Sequence, residues 1–343
     1  MSNSVQTNST LSANPSRLSI FGSRWIPFLI LLFVLQLAAT AVAYWPSRGS
    51  TATDEPLLPN LALDQIQKVT ITDRNDKQVD FVRKGSEWVL PDADDYPVKT
   101  EKVTSLLEKV AGLKRDRLVG TQSTTLTQLN VADAKFTRRI ELTMADGSQT
   151  TLYVGDGPRF RTSHVRLGGE NNAYLSLDFS TDAAATRLAD WIDVSFFHIA
   201  EADVQKMTLH NSNGIFDFYR DDQNQWQMSN LEEGEEFNSN NLTSMLTTLS
   251  SLSMAEPLGK EEKPAYGLDK PEITVQLTYK DETGNNKDAE LLVGALDSTQ
   301  NYYTAFSSES PYYVYIPKYS MERFASRTRE DFLQQPPTPT PAP

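Results

Sequence analysis

The most apolar stretch of the chain lies close to its N-terminus. Residues 25–45 (WIPFLILLFVLQLAATAVAYW) contain no charged side chain. As a helix with a rise of 1.5 Å per residue they would be about 30 Å long, which matches the hydrocarbon core of a bilayer. Trp25 at one end and Tyr44 and Trp45 at the other would lie at the interfaces, where such rings are enriched. The pattern predicts a single transmembrane helix over residues 25–45.

Charges on the flanks predict the orientation of this helix. Arg17 and Arg24 precede it, so the positive-inside rule predicts a cytoplasmic N-terminus and a bulk on the extracytoplasmic, periplasmic side of the cell membrane. A cleaved signal peptide is the alternative, because residues 39–41 (ATA) and 41–43 (AVA) both resemble small-residue cleavage sites. The apolar run is longer than a typical signal-peptide core and follows a polar arm, so we expect an anchor.

Three segments lack the composition of a folded domain. Residues 1–24 are rich in Ser, Asn and Thr, residues 46–60 in Pro, Gly, Ser and Thr, and residues 334–343 in Pro. Segments of this kind bury too little apolar surface to fold. We expect a disordered cytoplasmic arm, a flexible linker and a disordered tail, respectively.

Alternating apolar and polar positions then predict strands, and the pattern occurs twice. The repeated pairs of segments are residues 66–71 (IQKVTI) and 204–209 (VQKMTL), 87–88 (EW) and 225–226 (QW), 138–155 and 272–294, and 172–177 (NAYLSL) and 311–316 (PYYVYI). Both copies keep one order of segments, which indicates an internal duplication. We therefore expect two tandem domains, residues 61–198 and residues 199–333.

Each copy also contains helical patterns. Residues 103–113 (VTSLLEKVAGL) and 242–252 (LTSMLTTLSSL) place apolar side chains at i, i+3, i+4 and i+7, which is one face of a helix. Shorter helices are predicted at the end of each copy, at about residues 181–191 and 319–329. Each copy is then an α+β domain with three strands, a helix, an antiparallel meander of about four strands and a short helix.

The junction between the copies is apolar. Residues 191–207 (WIDVSFFHIAEADVQKM) run from one copy into the next without Gly or Pro. We expect Phe196 and Phe197 to be buried between the copies, so that the two domains pack against each other in tandem.

Composition excludes several classes of function. The chain has 343 residues and a net charge of −13, and no acidic residue precedes Asp54. The region after Arg48 is therefore even more acidic than the whole, and such a surface repels nucleic acid. The absence of cysteine excludes disulfides, thiolate catalysis and cysteine zinc sites.

No motif for catalysis or cofactor binding occurs in the sequence. His164, His198 and His210 lack the spacing of zinc ligands, and we expect them to be ordinary strand residues. There is no G-x-S-x-G nucleophile elbow and no phosphate-binding G-x-x-x-x-G-K. We expect no catalytic, cofactor or metal site, so the chain is predicted to be non-enzymatic.

Two acidic loops admit two interpretations. Asp92, Asp94 and Asp95 follow the first repeated tryptophan, and residues 232–236 (EEGEE) follow the second. Their carboxylates suit a calcium ion, but neither loop has the ligand order and central glycine of an EF-hand. We expect solvated hairpins, with calcium binding as the alternative.

The aromatic residues also admit two interpretations. Trp88 and Trp226 hold equivalent strand positions, and we expect both to be packing anchors of the core. Further aromatic residues crowd the end of the second copy, at Tyr302, Tyr303, Phe306, Tyr312, Tyr313, Tyr315 and Tyr319. Alternation turns only some of these inward, so the others form either a partner-binding face or a contact with the first copy.

These patterns together resemble a bacterial family, domain-of-unknown-function family 4340 (DUF4340). The family shows an N-terminal membrane helix, a start seen here as LDQIQKVTITD, a Trp-bearing strand (GSEWVL), a helix, a strand ending in Val-Gly (TLYVG, AELLVG) and a Tyr-containing strand (NAYLSL, YYVYIP). The resemblance covers roughly residues 60–333. Members of the family often carry a basic residue near the segment that corresponds to residues 191–193 (WID). This chain departs from the family there, whereas Arg327 and Arg329 keep the basic character in the second copy.

The resemblance implies an auxiliary envelope subunit beside ABC-type export or gliding-motility-like transport systems, and it attaches no catalytic residues. We therefore expect a non-enzymatic, single-pass membrane scaffold whose partner is a membrane complex such as an ABC-type permease. The alternative is an extracytoplasmic protein that binds a ligand or an envelope polymer in the cleft between the copies.

Overall fold

The computed structural model of the chain describes residues 26–43 and 55–334. The chain divides into two compact units, Met1–Ala52 and Thr53–Pro343. In the first unit, helix α1 (Ile26–Ala43) exposes its described apolar side chains around its whole circumference. In the described part of the chain, no helix is both long enough and apolar enough to cross a membrane. The transmembrane helix over residues 25–45 therefore stays a prediction.

The predicted flexible segments fall mostly outside the described residues. This holds for the arm (1–24), for the tail after Gln334 and for the linker up to residue 54. The end of the predicted linker is folded, because Leu57 is fully buried and its N–H donates to the carbonyl of Leu113 at 2.7 Å. The linker therefore ends before residue 60, because the side chain of Leu57 packs into the hydrophobic core.

The first copy forms a nine-stranded antiparallel sheet in the order β4-β3-β2-β1-β8-β9-β10-β11-β5. Its strands are β1 (Ile66–Asp73), β2 (Gln78–Lys84), β3 (Glu87–Leu90), β4 (Tyr96–Val98), β5 (Leu118–Gly120), β8 (Arg138–Met144), β9 (Gln149–Asp156), β10 (Ser163–Leu167) and β11 (Ala173–Ser176). Helices α2 (Thr100–Ala111) and α3 (Ser123–Gln128) and a small hairpin, β6 (Val131–Ala132) and β7 (Lys135–Phe136), complete the copy.

The second copy forms an eight-stranded sheet in the order β15-β14-β13-β18-β19-β20-β21-β17. Its strands are β13 (Val204–Asn211), β14 (Gly214–Arg220), β15 (Trp226–Met228), β17 (Glu256–Gly259), β18 (Ile273–Lys280), β19 (Asn286–Asp297), β20 (Tyr302–Ser307) and β21 (Tyr313–Pro317), with helices α4 (Asn240–Leu249) and α5 (Lys318–Ser326). The order repeats that of the first sheet strand by strand, and only β4 lacks a counterpart. The predicted duplication into antiparallel, sheet-rich α+β copies is confirmed.

One amphipathic helix covers the inner face of each sheet. The buried side chains recur with helical spacing, at Val103, Leu106, Leu107 and Val110 in α2 and at Leu242, Met245, Leu246 and Leu249 in α4. Burial of each such side chain contributes about 1.5–3 kcal/mol relative to an exposed position. The two helices that the 3.6-residue periodicity predicted are therefore present and anchor the core.

The predicted closing helices differ between the copies. The second copy ends in α5, close to the predicted residues 319–329, but in the first copy a helix at 181–191 is wrong. Two 3-10 turns, Thr181–Ala184 and Leu188–Asp190, take its place. Nε of Arg138 donates to the carbonyl of Ala184 at 2.9 Å, and Nε1 of Trp191 donates to that of Ala185 at 3.0 Å. These bonds compete with helical hydrogen bonds and hold the segment extended at Ala185.

Buried aromatic side chains join the two copies. Strand β12 (Ser195–Phe197) pairs with β16 (Leu252–Ser253) of the second copy. Phe196 is 7% exposed and Phe197 is fully buried, as the junction pattern predicted. One hydrophobic cluster contains both phenylalanines together with core residues of both sheets. The copies therefore share one core.

The acidic loop of the first copy forms the polar part of this junction, which we call the seam. Asp94 Oδ2 accepts a hydrogen bond from the backbone N–H of Lys260 at 2.6 Å. The rings of Tyr96 and Tyr312 meet edge to face with centroids 4.7 Å apart, and Tyr312 donates its hydroxyl to the carbonyl of Asp95 at 3.3 Å. Burial, with added effects of Asp193 and Tyr312, raises the pKa of Tyr96 to about 12. Asp94 and Asp95 thus contact the second copy at the seam, while the side chains of Asp92 and Asp94 remain exposed to solvent.

Gly259 allows the close approach at the seam, and its substitution provides a test. Gly259 has φ +104°, and a Cβ there would lie 2.6 Å from Asp94 Oδ2. Gly234 has a similar φ of +91° with nothing within 4 Å of its Cβ position. Gly259→Ala and Gly234→Ala both add backbone strain of about 1 kcal/mol, and we expect Gly259→Ala to cost about 1–2 kcal/mol more because of the clash. Urea unfolding of the two variants measures this difference, and equal losses would contradict the seam.

Candidate functional site

The aromatic residues near the end of the chain divide between two faces of the second sheet. Tyr303 and Tyr312 are buried, and Tyr312 contacts the first copy across the seam. Four other rings, on β20 and β21, alternate to the outer face, and a fifth ring comes from the turn before β18. We call these five rings the aromatic stripe: Tyr266, Tyr302, Phe306, Tyr313 and Tyr315. Contact with the first copy explains Tyr312 but leaves the stripe on the outside.

The rings of the aromatic stripe contact one another in two groups, one of three rings around Tyr313 and one of two rings. Phe306 and Tyr313 have centroids 4.8 Å apart at 33°, and Tyr266 lies 5.4 Å from Tyr313 at 38°. Tyr302 and Tyr315 stack at 5.9 Å with planes 22° apart. Except for the buried Tyr266, the rings are half-buried. A row of rings that is already ordered loses little side-chain entropy when another surface covers it.

Three carboxylates, Glu256, Glu262 and Asp297, and one ammonium group, that of Lys263, lie beside the aromatic stripe. Burial raises the pKa of Tyr313, and the nearby Glu262 raises it further. Burial also raises the pKa of Tyr315, with added effects of Asp297 and Glu256. The hydroxyls therefore remain protonated at neutral pH and can donate hydrogen bonds. The acidic rim favours a ligand or partner surface that carries positive charge.

The first copy has no such stripe, because its outer face is covered. The ladder Val293-Ala305-Val314 of the second sheet corresponds to Val154-Val165-Tyr174 of the first. By this register, the places of Phe306, Tyr313 and Tyr315 are taken in the first copy by Arg166, Ala173 and Leu175.

Helix α3 and the β6–β7 hairpin cover this face of the first copy. Ala173 packs there in a satellite cluster with Leu126, Val131 and Tyr153. Arg166 is buried and donates from Nε to the carbonyl of Val131 at 2.6 Å. In the second copy the corresponding segment is reduced to the turn Pro264–Tyr266. The duplication thus shows that the fold can cover this face and that the second copy leaves it open.

The repeated tryptophans serve the core, as the sequence predicted. Trp88 is 1% exposed and Trp226 packs partly buried against the core. Sequence reasoning missed the arginine that covers each ring, Arg83 at 4.9 Å and Arg220 at 4.6 Å. The signal was available, since an arginine stands five or six positions before each tryptophan.

The carboxylates of the acidic loops contact other groups of the protein and do not converge on one point. Asp95 forms an ion pair with Lys84, and Asp94 accepts from the backbone at Lys260. In the second copy Glu235 forms an ion pair with Arg329. Among residues 55–334 and the described part of α1, no group of three or more acidic or histidine side chains is arranged to hold a metal ion. The loop geometry gives the calcium alternative no support.

The remaining singled-out residues lie apart from one another. His164 is on β10, His210 on β13 and His198 just after β12. Trp191, where the family often has a basic residue, is buried with its ring 4.9 Å from that of Phe81. Arg327 forms an ion pair with Asp331 at 3.3 Å, so basic character at this end of the second copy serves to hold the closing turn.

Comparison with known proteins gives one finding that bears on identity. A family model described as Domain of unknown function (DUF4340) matches residues 88–271 and residues 237–337. The first match runs from the Trp-bearing strand of the first copy into the second copy, and the second match covers most of the second copy. No curated protein and no solved structure matches the chain significantly. With matches that extend over residues 88–337, the chain belongs to the DUF4340 family.

Proposed function

We propose that this chain is a non-enzymatic, membrane-tethered binding module whose second copy docks on a partner protein of a membrane complex. The aromatic stripe is the observation that carries the proposal. Its rings are ordered, half-buried and left uncovered, while the equivalent face of the first copy is closed by α3 and the β6–β7 hairpin. Tyrosine is enriched at protein interfaces because it offers a large ring and a hydroxyl donor at low entropic cost.

The charge difference between the copies supports the same surface. Residues 61–198 contain 18 basic and 20 acidic side chains, whereas residues 199–333 contain 11 and 23. The net charges are therefore −2 and −12. A partner with a basic patch would be attracted to the second copy more strongly than to the first, which sets the orientation of docking.

The membrane tether rests on the sequence. The uncharged run of residues 25–45, preceded by Arg17 and Arg24, supports a single-pass anchor with the two copies on the extracytoplasmic side. The family resemblance is the reason to name an ABC-type transport complex as the partner. A tether keeps the stripe at high effective concentration near membrane proteins, so a modest interface suffices.

Binding of an envelope polymer is the second candidate. The near-parallel pair Tyr302 and Tyr315 favours it, because flat saccharide faces stack on aromatic planes. The tilt of the other ring pairs, 33° and 38°, favours the irregular surface of a protein. At the seam, Asp94, Tyr96 and Tyr312 form direct contacts between the copies, so the stripe, rather than the junction, is the surface to test for either candidate.

Substitution within the stripe tests the docking proposal. We expect Tyr313→Ala combined with Tyr315→Ala to reduce recovery of the partner by about tenfold or more in a cross-linked purification from mild detergent, because two central rings are lost. Tyr319→Ala is the matched control, since Tyr319 is 77% exposed and lies on α5 outside the stripe. Recovery that is equal for all three proteins, or a chain purified alone from several mild detergents, would contradict the proposal.

Membrane extraction tests the tether. We expect the full chain to remain in the membrane fraction after alkaline carbonate treatment, and a chain starting at Thr53 to be released, because only the former retains the apolar run. Sequencing of the N-terminus checks the alternative directly. A mature protein that starts at Tyr44 and is found in the soluble fraction would show cleavage after Ala43 instead of anchoring.

A further inference from the structure

An open cleft of about 500 Å³ lies beside α2 in the first copy. Lys102, Ser105 and Lys109 line it from one face of the helix, at positions i, i+3 and i+7. Phe160 and Arg161 line it from the loop between β9 and β10, and Phe160 is 87% exposed. The opposite wall is the closing segment with the two 3-10 turns. The cleft is thus bounded by three separate elements.

The second copy fills the equivalent place with its own chain. Val103 of α2 corresponds to Leu242 of α4, so Ser105 corresponds to Ser244. Nη1 of Arg323, on α5, donates to Oγ of Ser244 at 3.1 Å. The closing helix therefore packs on α4, whereas in the first copy the closing segment is broken by its bonds to Arg138 and Trp191. The same fold has a covered position in one copy and a cleft in the other.

The cleft lining combines three cations, Lys102, Lys109 and Arg161, with two carboxylates, Asp182 and Asp190. Among the described residues, the side chains of Lys102, Lys109 and Arg161 form no direct hydrogen bond or ion pair. Asp190 is paired with Arg187 at 2.6 Å, and its pKa is lowered by this hydrogen bond and also by the charge of Lys102. In α4 the counterparts of Lys102 and Lys109 are Asn241 and Thr248, so the positive charge is specific to the first copy.

The cleft continues into a second groove of about 370 Å³. The two share Lys109, and the groove adds the 43%-exposed Leu177, the ion pair of Arg117 with Asp116 at 3.6 Å, and Asp178 to the lining. Together they form one depression with apolar rims and charges of both signs. The side chains of Lys102, Lys109 and Arg161 form no direct ion pair, and they can attract an anion there because a concave site focuses the electric field.

We propose that this cleft binds the phosphate group of a phosphodiester ligand. Lys102 and Lys109 supply point charges, Arg161 supplies a planar fork that can bind two phosphate oxygens, and Ser105 supplies a hydroxyl donor. Phe160 and Leu177 contact the carbon skeleton beside the phosphate. Such a group occurs in a phospholipid headgroup and in a soluble polyol phosphate chain, which share the chemistry that the cleft recognises.

The test compares two triple variants of the full chain in a non-ionic detergent. Lys102→Gln, Lys109→Gln and Arg161→Gln remove the cleft cations. The control, Lys77→Gln, Lys135→Gln and Lys270→Gln, removes the same charge from exposed positions outside the cleft. All six side chains are exposed, so both variants are expected to unfold at the temperature of the parent.

Three probes separate the sources of the phosphate. They are a short poly(glycerol phosphate), dihexanoyl phosphatidylglycerol and, as a net-neutral lipid, dihexanoyl phosphatidylcholine, each titrated by calorimetry. We expect saturable binding of at least one of the first two, weakened about tenfold or more in the cleft variant and unchanged in the control. Preference for the polymer or for the anionic lipid identifies the source. Equal weakening in both variants, or no saturation by any probe at about 10 mM, would overturn the proposal.

Discussion

Burial of Phe196 and Phe197 between the two sheets is the interaction on which the rest of the structure depends. Each ring contributes about 1.5–3 kcal/mol by leaving water, and both belong to a hydrophobic cluster that extends through both copies. Apolar packing alone does not fix the relative orientation of the copies. The seam does so, because the Asp94 carboxylate accepts a hydrogen bond from the backbone N–H of Lys260. The copies therefore cannot separate without exposing core side chains, and every surface feature of one copy has a fixed place relative to the other.

Within this constraint the duplicated copies have diverged in opposite ways. The first covers its outer sheet face with α3 and the β6–β7 hairpin, but its broken closing segment leaves an open cleft beside α2. The second closes that place with α5 and leaves its outer face open, where the aromatic rings pack on one another. A sheet face without a covering element is stable only if its side chains pack against one another, and the Tyr and Phe rings of the aromatic stripe do so. One scaffold thus presents two different open surfaces.

Periodicity and repetition predicted much of this fold, because both are local signals. Helices α2 and α4, the duplication and the buried junction follow from them. The broken helix at residues 181–191 was not predictable, since Arg138 and Trp191 bind its carbonyls only after folding. The segment match aligned Tyr313 with Tyr174, but strand pairing aligns Tyr313 with Ala173. A slip of one residue moves a side chain to the other face, so the aromatic stripe was visible only as a choice between two interpretations.

Calorimetric unfolding of the unit Thr53–Pro343 tests the shared core most directly. If Phe196 and Phe197 bind both sheets into one cooperative core, heat capacity should show a single transition whose calorimetric and van't Hoff enthalpies agree. Two separable transitions, each with the enthalpy of about half the unit, would show that the copies unfold independently. That result would contradict the account, because the aromatic stripe and the cleft beside α2 would then lie on domains without a fixed relation.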